Sequence, residues 1–304
     1  MHFWLSCAKP ISTLQHGPPL KRLALSVFLT FVCLHGSHAA DWDDPQDPFP
    51  IYGGSYYVGP QGVASVLITS SKGHILIDGG TPKSAQAIIE RIRRLGFKPE
   101  EIKTILVSHA HVDHAGGLAQ LQRVSGATVL TSPAAKPVLE SGKPDRGDPQ
   151  FGALPDMEPV ANVKAVRDGD VVTVGPLAVK ANYTPGHTRG GITWTWTAQE
   201  PAGAMNMVYA DSLNAFGLNG FRYSGDARYP NAKADIEGSI ARVAALPCDI
   251  LVSAHPEASG LFERHARQAN EGSTAFIDRD ACRRYADDGR QRLEKTLTQE
   301  AAQQ

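Results

Sequence analysis

One ten-residue stretch, SHAHVDHAGG, constrains this protein more than any other part of its sequence. It runs from Ser108 to Gly117, and its polar residues include His109, His111, Asp113 and His114. The mainly apolar segment 102–107 directly before it predicts a short buried strand, and the two glycines at the end of the ten-residue stretch allow a helix to begin close behind. The sequence therefore predicts a loop, rich in metal-ligand side chains, between a strand and a helix.

The residue types in this loop suit a zinc ion. Imidazole and carboxylate are the ligands of catalytic zinc sites, and the lack of a thiolate leaves the metal a strong Lewis acid. His109 and His111 are two residues apart on an extended chain, so both side chains can point to the same side. A solvated polar loop, or histidines satisfied in the core, would explain one such residue. Three histidines with an aspartate favour a metal site.

Other segments can supply further ligands. His187 in YTPGH and His255 in VSAHP each follow a predicted strand, as does Asp211 in YADS. Because ligands of α/β folds gather beyond the carboxyl ends of strands, we expect these segments to meet in one cleft. Two other histidines, His74 in a predicted hairpin and His265 beside arginines, are predicted to be surface residues.

Apolar periodicity predicts alternating strands and helices after residue 40. The clearest elements are a hairpin over 66–77, a helix over 85–95, strands over 171–174 and 177–183, a helix over 232–246 and a closing helix over 280–299. A Pro- and Gly-rich segment, 133–159, is predicted to be a long mobile loop. Since no low-complexity linker divides the chain, we expect one α/β domain with helices outside stacked sheets.

The first 40 residues have the layout of a secretory signal peptide. Basic residues without acids occupy 1–22, an apolar run follows at 23–34, and small residues precede an acidic switch at 41–44. The apolar run has about twelve residues, too few to span a bilayer, which favours export over a membrane anchor. We therefore expect removal of residues 1–40 and a periplasmic domain of residues 41–304.

The expected mature chain is weakly acidic and keeps two cysteines. It has 27 basic and 31 acidic residues, a net charge of −4, because the leader contains three of the 30 basic residues and none of the 31 acidic ones. This balance predicts no nucleic-acid or membrane partner. Cys248 and Cys282 remain, and an even pair in an oxidising compartment predicts one disulfide, with two buried thiols as the alternative.

The histidine-rich stretch fits the His-x-His-x-Asp-His signature, and the chain resembles the metallo-β-lactamase superfamily over nearly its whole mature length. The resemblance includes IDGG at 77–80, PGHT at 185–188, YADSL at 209–213 and SAHP at 253–256. It is greatest to the third subclass of true metallo-β-lactamases, which has a second-site histidine directly after the signature aspartate and no cysteine ligand. RGDPQF at 146–151, FRYS at 221–224 and ACRRY at 281–285 are also similar to that subclass.

The resemblance implies an αβ/βα sandwich that holds two zinc ions per chain between its sheets. The implied first zinc site is His109, His111 and His187, and the implied second site is Asp113, His114 and His255. The implied reaction opens the β-lactam ring of penicillins, cephalosporins and carbapenems, which gives antibiotic resistance. The nucleophile would be a hydroxide shared by two ions about 3.5–4 Å apart. Asp113 would be catalytic as well as a ligand, because it would orient that hydroxide.

Four further positions are assigned supporting roles. Asp78 follows a strand and is expected to support the ligand loop by hydrogen bonding, although a turn-forming aspartate before two glycines is the alternative. Ser212 takes the place of another subclass's cysteine ligand and is predicted to bind the substrate carboxylate, unless it merely ends a strand. Gln150 is predicted to contact substrate, with a solvated loop residue as the alternative. Asn214 stands where relatives often carry serine or threonine and is a third predicted substrate contact.

Two other functions are compatible with the same ligands. Lactonases and glyoxalase-type thioesterases share the signature but bridge their metals with an aspartate after a later strand, which Asp211 superficially matches. An exported zinc-storage protein is the non-enzymatic alternative. Storage needs no open coordination position, whereas six ligands over two ions leave room for water. We expect a monomer that acts on small β-lactam molecules.

Overall fold

Two β-sheets form the centre of this computed structural model, which describes residues 41–303. The expected signal peptide at 1–40 lies outside the described residues. The first sheet contains β1 (Phe49–Tyr52), β2 (Ser55–Tyr57), β3 (Val66–Ile68), β4 (His74–Ile77), β5 (Ile102–Leu106), β6 (Thr128–Thr131) and β7 (Val163–Ala165), and its strands follow one another in space as in sequence. The second contains β8 (Val171–Val174), β9 (Leu177–Tyr183), β10 (Ile192–Glu200), β11 (Gly203–Ala210) and β12 (Ile250–Ser253), in the spatial order β12-β11-β10-β9-β8.

Helices cover the outer face of each sheet. The described residues form seven α-helices: α1 (Ser84–Arg94), α2 (Val112–Ala115), α3 (Leu118–Ser125), α4 (Lys136–Ser141), α5 (Ala232–Ala245), α6 (Leu261–Glu271) and α7 (Ala281–Ala301). Helices α1 and α3 pack on the first sheet, and α5 and α7 pack on the second. The predicted αβ/βα sandwich is therefore confirmed. Among the described residues, no helix has the combination of length and apolarity needed to cross a membrane.

The strands explain this layering because alternate side chains point to opposite faces. In β4, Ile75 joins the core between the two sheets, whereas the next residue, Leu76, joins the core under α1 and α3. In β11, Tyr209 faces the other sheet and Val208 faces α5 and α7. Strands that are buried on both faces read as continuous apolar runs, so the sequence marks them clearly.

The strand directions bring several loops to one edge of the sandwich. Strand β10 runs antiparallel to both β9 and β11, and β12 runs parallel to β11. The carboxyl ends of β9, β11 and β12 therefore lie at the same edge of the second sheet. The loop after β5 reaches this edge from the first sheet, where the carbonyl of Ser108 accepts a hydrogen bond from Ile192 N at 2.8 Å.

Three expectations need correction. His74 is not a surface residue: it is 3 % exposed, because β4 lies between β3 and β5 and the His74 ring packs edge-on against Phe97. His265 is half-buried, with its ring stacked on Phe49 at a centroid distance of 3.7 Å. The segment 133–159 is not wholly irregular, since α4 lies within it.

The predicted Cys248–Cys282 disulfide is present and joins the residues before β12 to the first turn of α7.

Candidate metal centre

Three imidazoles meet where the ends of β5 and β9 face each other. His109 and His111 lie in the loop after β5, and His187 lies in the turn after β9; we call these residues the first ligand group. One ring nitrogen from each lies within 4.8 Å of the other two, and all three side chains are buried. The rings stand nearly perpendicular to one another, with interplanar angles of 71° to 88°. Their nitrogens therefore converge on a common centre.

A second ligand group lies beside the first and consists of Asp113, His114 and His255. The Asp113 Oδ2 atom is 3.1 Å from His114 Nε2 and 3.5 Å from His255 Nε2, and the two imidazole nitrogens are 3.3 Å apart. Two ligand atoms on a tetrahedral zinc with bonds of about 2.0–2.1 Å lie about 3.3 Å apart. This triangle has the dimensions of three ligands on one zinc ion, with a fourth position open.

The two ligand groups adjoin each other. Ligand atoms of His109, Asp113 and His114 also lie within 4.8 Å of one another, and the rings of His109 and His114 are 4.3 Å apart. The His255 side chain is 37 % exposed, whereas His109 and His114 are fully buried. Solvent and ligands therefore reach the centre from the side of the second ligand group.

Acceptors behind the first ligand group fix each ring. His109 Nδ1 donates to Asp211 Oδ1 at 2.7 Å, and His111 Nε2 donates to Asp148 Oδ2 at 2.9 Å. His187 Nδ1 donates to the carbonyl of Asn214 at 2.9 Å. Because carboxylates and carbonyls only accept, the opposite ring nitrogen keeps its lone pair for a metal.

The second ligand group is supported by one hydrogen bond and one longer contact with a carboxylate. His255 Nδ1 donates to the Gly62 carbonyl at 3.0 Å, and His114 Nδ1 lies 3.5 Å from Asp78 Oδ2. In the first group, His109 Nε2 is buried and has no hydrogen-bond partner among residues 41–303. A buried nitrogen without a partner is costly unless something binds it. The donor set, its spacing and this orphaned atom all fit a metal ion.

Charge differs between the two ligand groups. Burial and, to a smaller extent, the neighbouring His111 together lower the pKa of His187 to about 3. Burial would raise the pKa of Asp113, but the imidazoles of His114 and His255 outweigh it and hold that pKa well below its usual range. Burial would lower the pKa of His114, but the carboxylate of Asp113, with Asp78, raises it to about 10. The second group thus contains the negative ligand, and a metal that binds there displaces a proton from His114.

Asp78 connects the ligand loop to both sheets. Its Oδ1 accepts a hydrogen bond from Ser108 N at 2.7 Å, and its Oδ2 accepts one from the Tyr209 hydroxyl at 2.8 Å. Its backbone has a positive φ of 58°, which is strained for a residue with a side chain. The structure thus places Asp78 where it fixes the first residue of the ligand loop and faces His114.

The three predicted substrate contacts lie in different settings. Ser212 is buried directly after Asp211, Asn214 is exposed, and Gln150 is half-buried two residues after Asp148. Between the described residues, none of these three side chains makes a hydrogen bond, so each can meet a ligand. Sequence reasoning did not identify Asp148, although it lies in the RGDPQF segment. The Asn214 carbonyl has no sequence signal at all, because every residue has one.

Comparison with known proteins agrees with this geometry. A profile described as the metallo-β-lactamase superfamily matches residues 58–199. The crystal structure of MEM-A1, a subclass B3 metallo-β-lactamase isolated from a soil metagenome library, is 61% identical to this chain. The match covers 87% of this chain and 100% of that one, with a TM-score of 0.86. The chain belongs to the metallo-β-lactamase superfamily.

Two further solved structures narrow the assignment within the superfamily. The Rm3 metallo-β-lactamase is 50% identical over 86% of this chain and 98% of its own, with a TM-score of 0.85. The metallo-β-lactamase SMB-1, bound to 2-mercaptoethanesulfonate, is 47% identical over 86% of this chain and 100% of its own, with a TM-score of 0.83. Together with MEM-A1 they confirm the predicted resemblance to the third subclass of metallo-β-lactamases, which are hydrolases of β-lactam amides.

Curated relatives are more distant. A hydroxyacylglutathione hydrolase of Pseudomonas paraeruginosa is 31% identical over 151 residues, which are 50% of this chain and 46% of that protein. The hydroxyacylglutathione hydrolase of a Chelativorans species is 28% identical over 71% of this chain and 72% of its own. The match thus spans about half the length of the first relative and nearly three quarters of the second.

Proposed function

We propose that this protein uses two zinc ions to open the β-lactam ring of penicillins, cephalosporins and carbapenems, and so gives antibiotic resistance. The observation that carries the proposal is the pairing of two adjacent ligand groups. One is an all-imidazole group, and the other is a triangle of Asp113, His114 and His255 with sides of 3.1 to 3.5 Å. The likeness to subclass B3 enzymes supports the choice of substrate.

Each ligand group would hold one zinc ion. Bound zinc supplies a Lewis acid for the lactam carbonyl and lowers the pKa of water to near neutrality. The chain's own contribution is to fix the ligands, and the acceptors Asp148, Asp211 and Asn214 do so for the first group. Asp113, whose low pKa keeps it ionised at neutral pH, can accept a hydrogen bond from the attacking water and so orient it.

Substrate would enter beside His255, the most exposed of the ligands. The side chains of Ser212, Asn214 and Gln150 lie in the segments that flank the two ligand groups and have donors without partners among the described residues. Penicillins, cephalosporins and carbapenems all carry a carboxylate, which hydroxyl and amide donors can bind. We assign these three side chains to that carboxylate and to the amide that is cleaved.

Thioester hydrolysis is the second candidate function, because hydroxyacylglutathione hydrolases are among the relatives. That reading needs Asp211 as a bridge between two metals. Its Oδ1 is instead occupied by His109 Nδ1, and its Oδ2 lies against Gly191, where an added Cβ would come within 2.2 Å. The position of Asp211 therefore favours the β-lactamase.

We also propose that the protein is exported, with residues 1–40 as its signal peptide, and that it acts as a periplasmic monomer. The apolar run at 23–34, followed by small residues and then by acids, supports this. Intact-mass measurement of protein from a periplasmic extract should give a chain that begins at residue 40 or 41. A chain that retains residue 1 in that extract would contradict the proposal.

Steady-state kinetics test the activity. A penicillin, a cephalosporin, a carbapenem and a glutathione thioester are offered to the same zinc-loaded preparation, before and after dialysis against a chelator. We expect turnover of all three β-lactams, loss of that turnover with the metal, and recovery on addition of zinc. Turnover of the thioester alone would favour the second candidate, and turnover of none of the four would favour zinc storage.

A further inference from the structure

Two loops support the first ligand group from outside. The 142–160 loop contains Asp148, whose Oδ2 accepts the hydrogen bond of His111 Nε2 at 2.9 Å. The 211–224 loop contains Asn214, whose carbonyl accepts the hydrogen bond of His187 Nδ1 at 2.9 Å. The 142–160 loop therefore sets the orientation of His111, and the 211–224 loop sets that of His187 and, through Asp211, that of His109. The relative position of the loops sets how His111 and His187 face each other.

Two hydrogen bonds join these loops. Leu218 N donates to the Pro149 carbonyl at 2.9 Å, and the Asn219 side-chain amide donates to the Phe151 carbonyl at 2.9 Å. The accepting residues stand on either side of Gln150, whose own N–H donates to Asp148 Oδ1 at 2.8 Å. The joined segment is therefore also the segment that contains a proposed substrate contact.

Asn219 is unusual in ways that serve this contact. It is an exposed residue with a positive φ of 50°, a conformation that asparagine adopts more readily than most residues with side chains. Opposite it, Gly152 has a φ of 89°, and a Cβ there would come within 2.8 Å of Asn219 Nδ2. The missing side chain at 152 leaves room for the Asn219 amide to reach Phe151. Both sides of the contact thus have the residue that the contact needs.

We propose that Asn219 is a positioning residue for the metal centre. Its amide clamps the 211–224 loop to the 142–160 loop, and the clamp acts through Asp148 and Asn214 on the two imidazoles His111 and His187. It also fixes Gln150 between the two joining hydrogen bonds. The expected effect on zinc affinity depends only on the two ligand groups, which fit a metal ion. The expected effect on the kinetics rests on the proposed β-lactamase activity.

The variant Asn219→Gly isolates the clamp, because glycine keeps the positive φ and removes only the amide. Asn162→Gly is a matched control: Asn162 is also exposed, has a φ of 46°, and donates its amide to Thr128 Oγ1 at 3.2 Å, outside both loops. A second variant, Asn219→Asp, tolerates the same backbone but cannot donate. The three proteins are compared with the wild type for thermal unfolding, zinc affinity against a competing chromophoric chelator, and hydrogen exchange of the Leu218 amide.

Loss of a partner that contacts a metal ligand directly lowers metal affinity about 10- to 100-fold, and Asn219 acts one step further away. We therefore expect both Asn219 variants to bind zinc about 3- to 10-fold more weakly, to exchange the Leu218 amide about 10-fold faster, and to raise KM for a carbapenem more than they lower kcat. Asn162→Gly should match the wild type in all three, and all variants should unfold at similar temperatures.

Asn219 variants that match Asn162→Gly in zinc affinity and in Leu218 exchange would overturn the proposal. Equal loss of zinc affinity in Asn162→Gly would also overturn it, because the effect would then be general. A wild type that hydrolyses no β-lactam would refute the proposed function instead. In that case the chelator competition and the amide exchange still decide the role of Asn219.

Discussion

Asp211 lies directly behind His109: its Oδ1 accepts a hydrogen bond from His109 Nδ1 at 2.7 Å, and both side chains are fully buried. This relationship bears on two questions together. It turns His109 Nε2 toward the other ligands, where it has no protein partner among residues 41–303. It also occupies one carboxylate oxygen, Oδ1, of the aspartate that a metal-bridging thioesterase would need. The same contact therefore supports the metal centre and favours the proposed β-lactamase activity over thioester hydrolysis.

Removal of the Asp211 carboxylate should weaken zinc binding at the first ligand group. We expect Asp211→Ala to lower zinc affinity about 10- to 100-fold, because the His109 ring loses the acceptor that fixes its orientation. Asp211→Asn should lie between the wild type and Asp211→Ala, since an amide oxygen still accepts from His109. Chelator competition measures the affinities. Unchanged zinc affinity in Asp211→Ala would mean that the packing around His109 alone orients the ring.

Alanine substitutions in the two ligand groups should have different effects. His187→Ala removes one of three neutral ligands, and kcat/KM should fall by about 10³-fold or more, because the Lewis acid and the activated water are lost. His255→Ala should lower kcat and raise KM together, while about one zinc ion per chain remains. Elemental analysis and steady-state kinetics measure both effects.

His265→Ala is the control for these variants. The His265 ring stacks on Phe49 at 3.7 Å, so its loss should lower the unfolding temperature but leave two zinc ions and normal turnover. If His265→Ala lost metal while His255→Ala kept two zinc ions and normal turnover, the assignment of the second ligand group would be wrong.

The sequence predicts which histidines meet at this centre better than it predicts what supports them. Histidines that directly follow apolar strands are visible in one dimension, and their positions after β5, β9 and β12 are as expected. Their acceptors are different: two of them are the backbone carbonyls of Asn214 and Gly62, which any residue could supply. Asp148 lies in an irregular loop without periodicity. These partners come together only when distant segments pack.

His74 shows why burial is also hard to predict locally. The hairpin around it was predicted, and β3 and β4 are antiparallel neighbours as expected. Its burial comes from β5, where Ile102 pairs with His74 across a parallel contact 28 residues along the chain. Burial lowers the pKa of this imidazole, which is therefore neutral at pH 7. In an isolated hairpin, the edge of β4 that β5 covers would be exposed, so the hairpin alone does not predict the burial of His74.

The disulfide should stabilise the fold without taking part in the reaction. Cys248 lies two residues before β12, whose far end leads to His255, and Cys282 lies in the first turn of α7. We expect the double variant Cys248→Ser/Cys282→Ser to lose about 2–4 kcal/mol of unfolding free energy, because the unfolded chain regains the entropy of the closed loop. Activity per bound zinc should be retained. Free thiols in periplasmic protein, found by mass spectrometry, would contradict the pairing.

Asp249, the residue after Cys248, should make stability fall in acid. Its Oδ2 accepts hydrogen bonds from Asn206 N at 2.8 Å and Asn206 Nδ2 at 2.9 Å, and its Oδ1 accepts one from Arg279 Nε at 3.0 Å. Burial would raise the pKa of Asp249, but these donors outweigh it and lower the pKa. The folded state therefore binds fewer protons than the unfolded state below about pH 5, where an ordinary aspartate of pKa about 3.9 begins to titrate.

The stabilisation from Asp249 is complete above the unfolded pKa and disappears as the pH falls through the lower folded pKa. At pH 7, Asp249→Ala should lower the unfolding free energy by about 1–3 kcal/mol, since hydrogen bonds to a charged group are lost and Asn206 N–H loses its acceptor. The difference from the wild type should shrink steadily below pH 4. Urea denaturation at pH 7, 5, 4 and 3 measures it, with both proteins free of metal so that zinc release does not contribute. A difference that stayed constant from pH 7 to pH 3 would show that Asp249 contributes by packing and not as a charged acceptor.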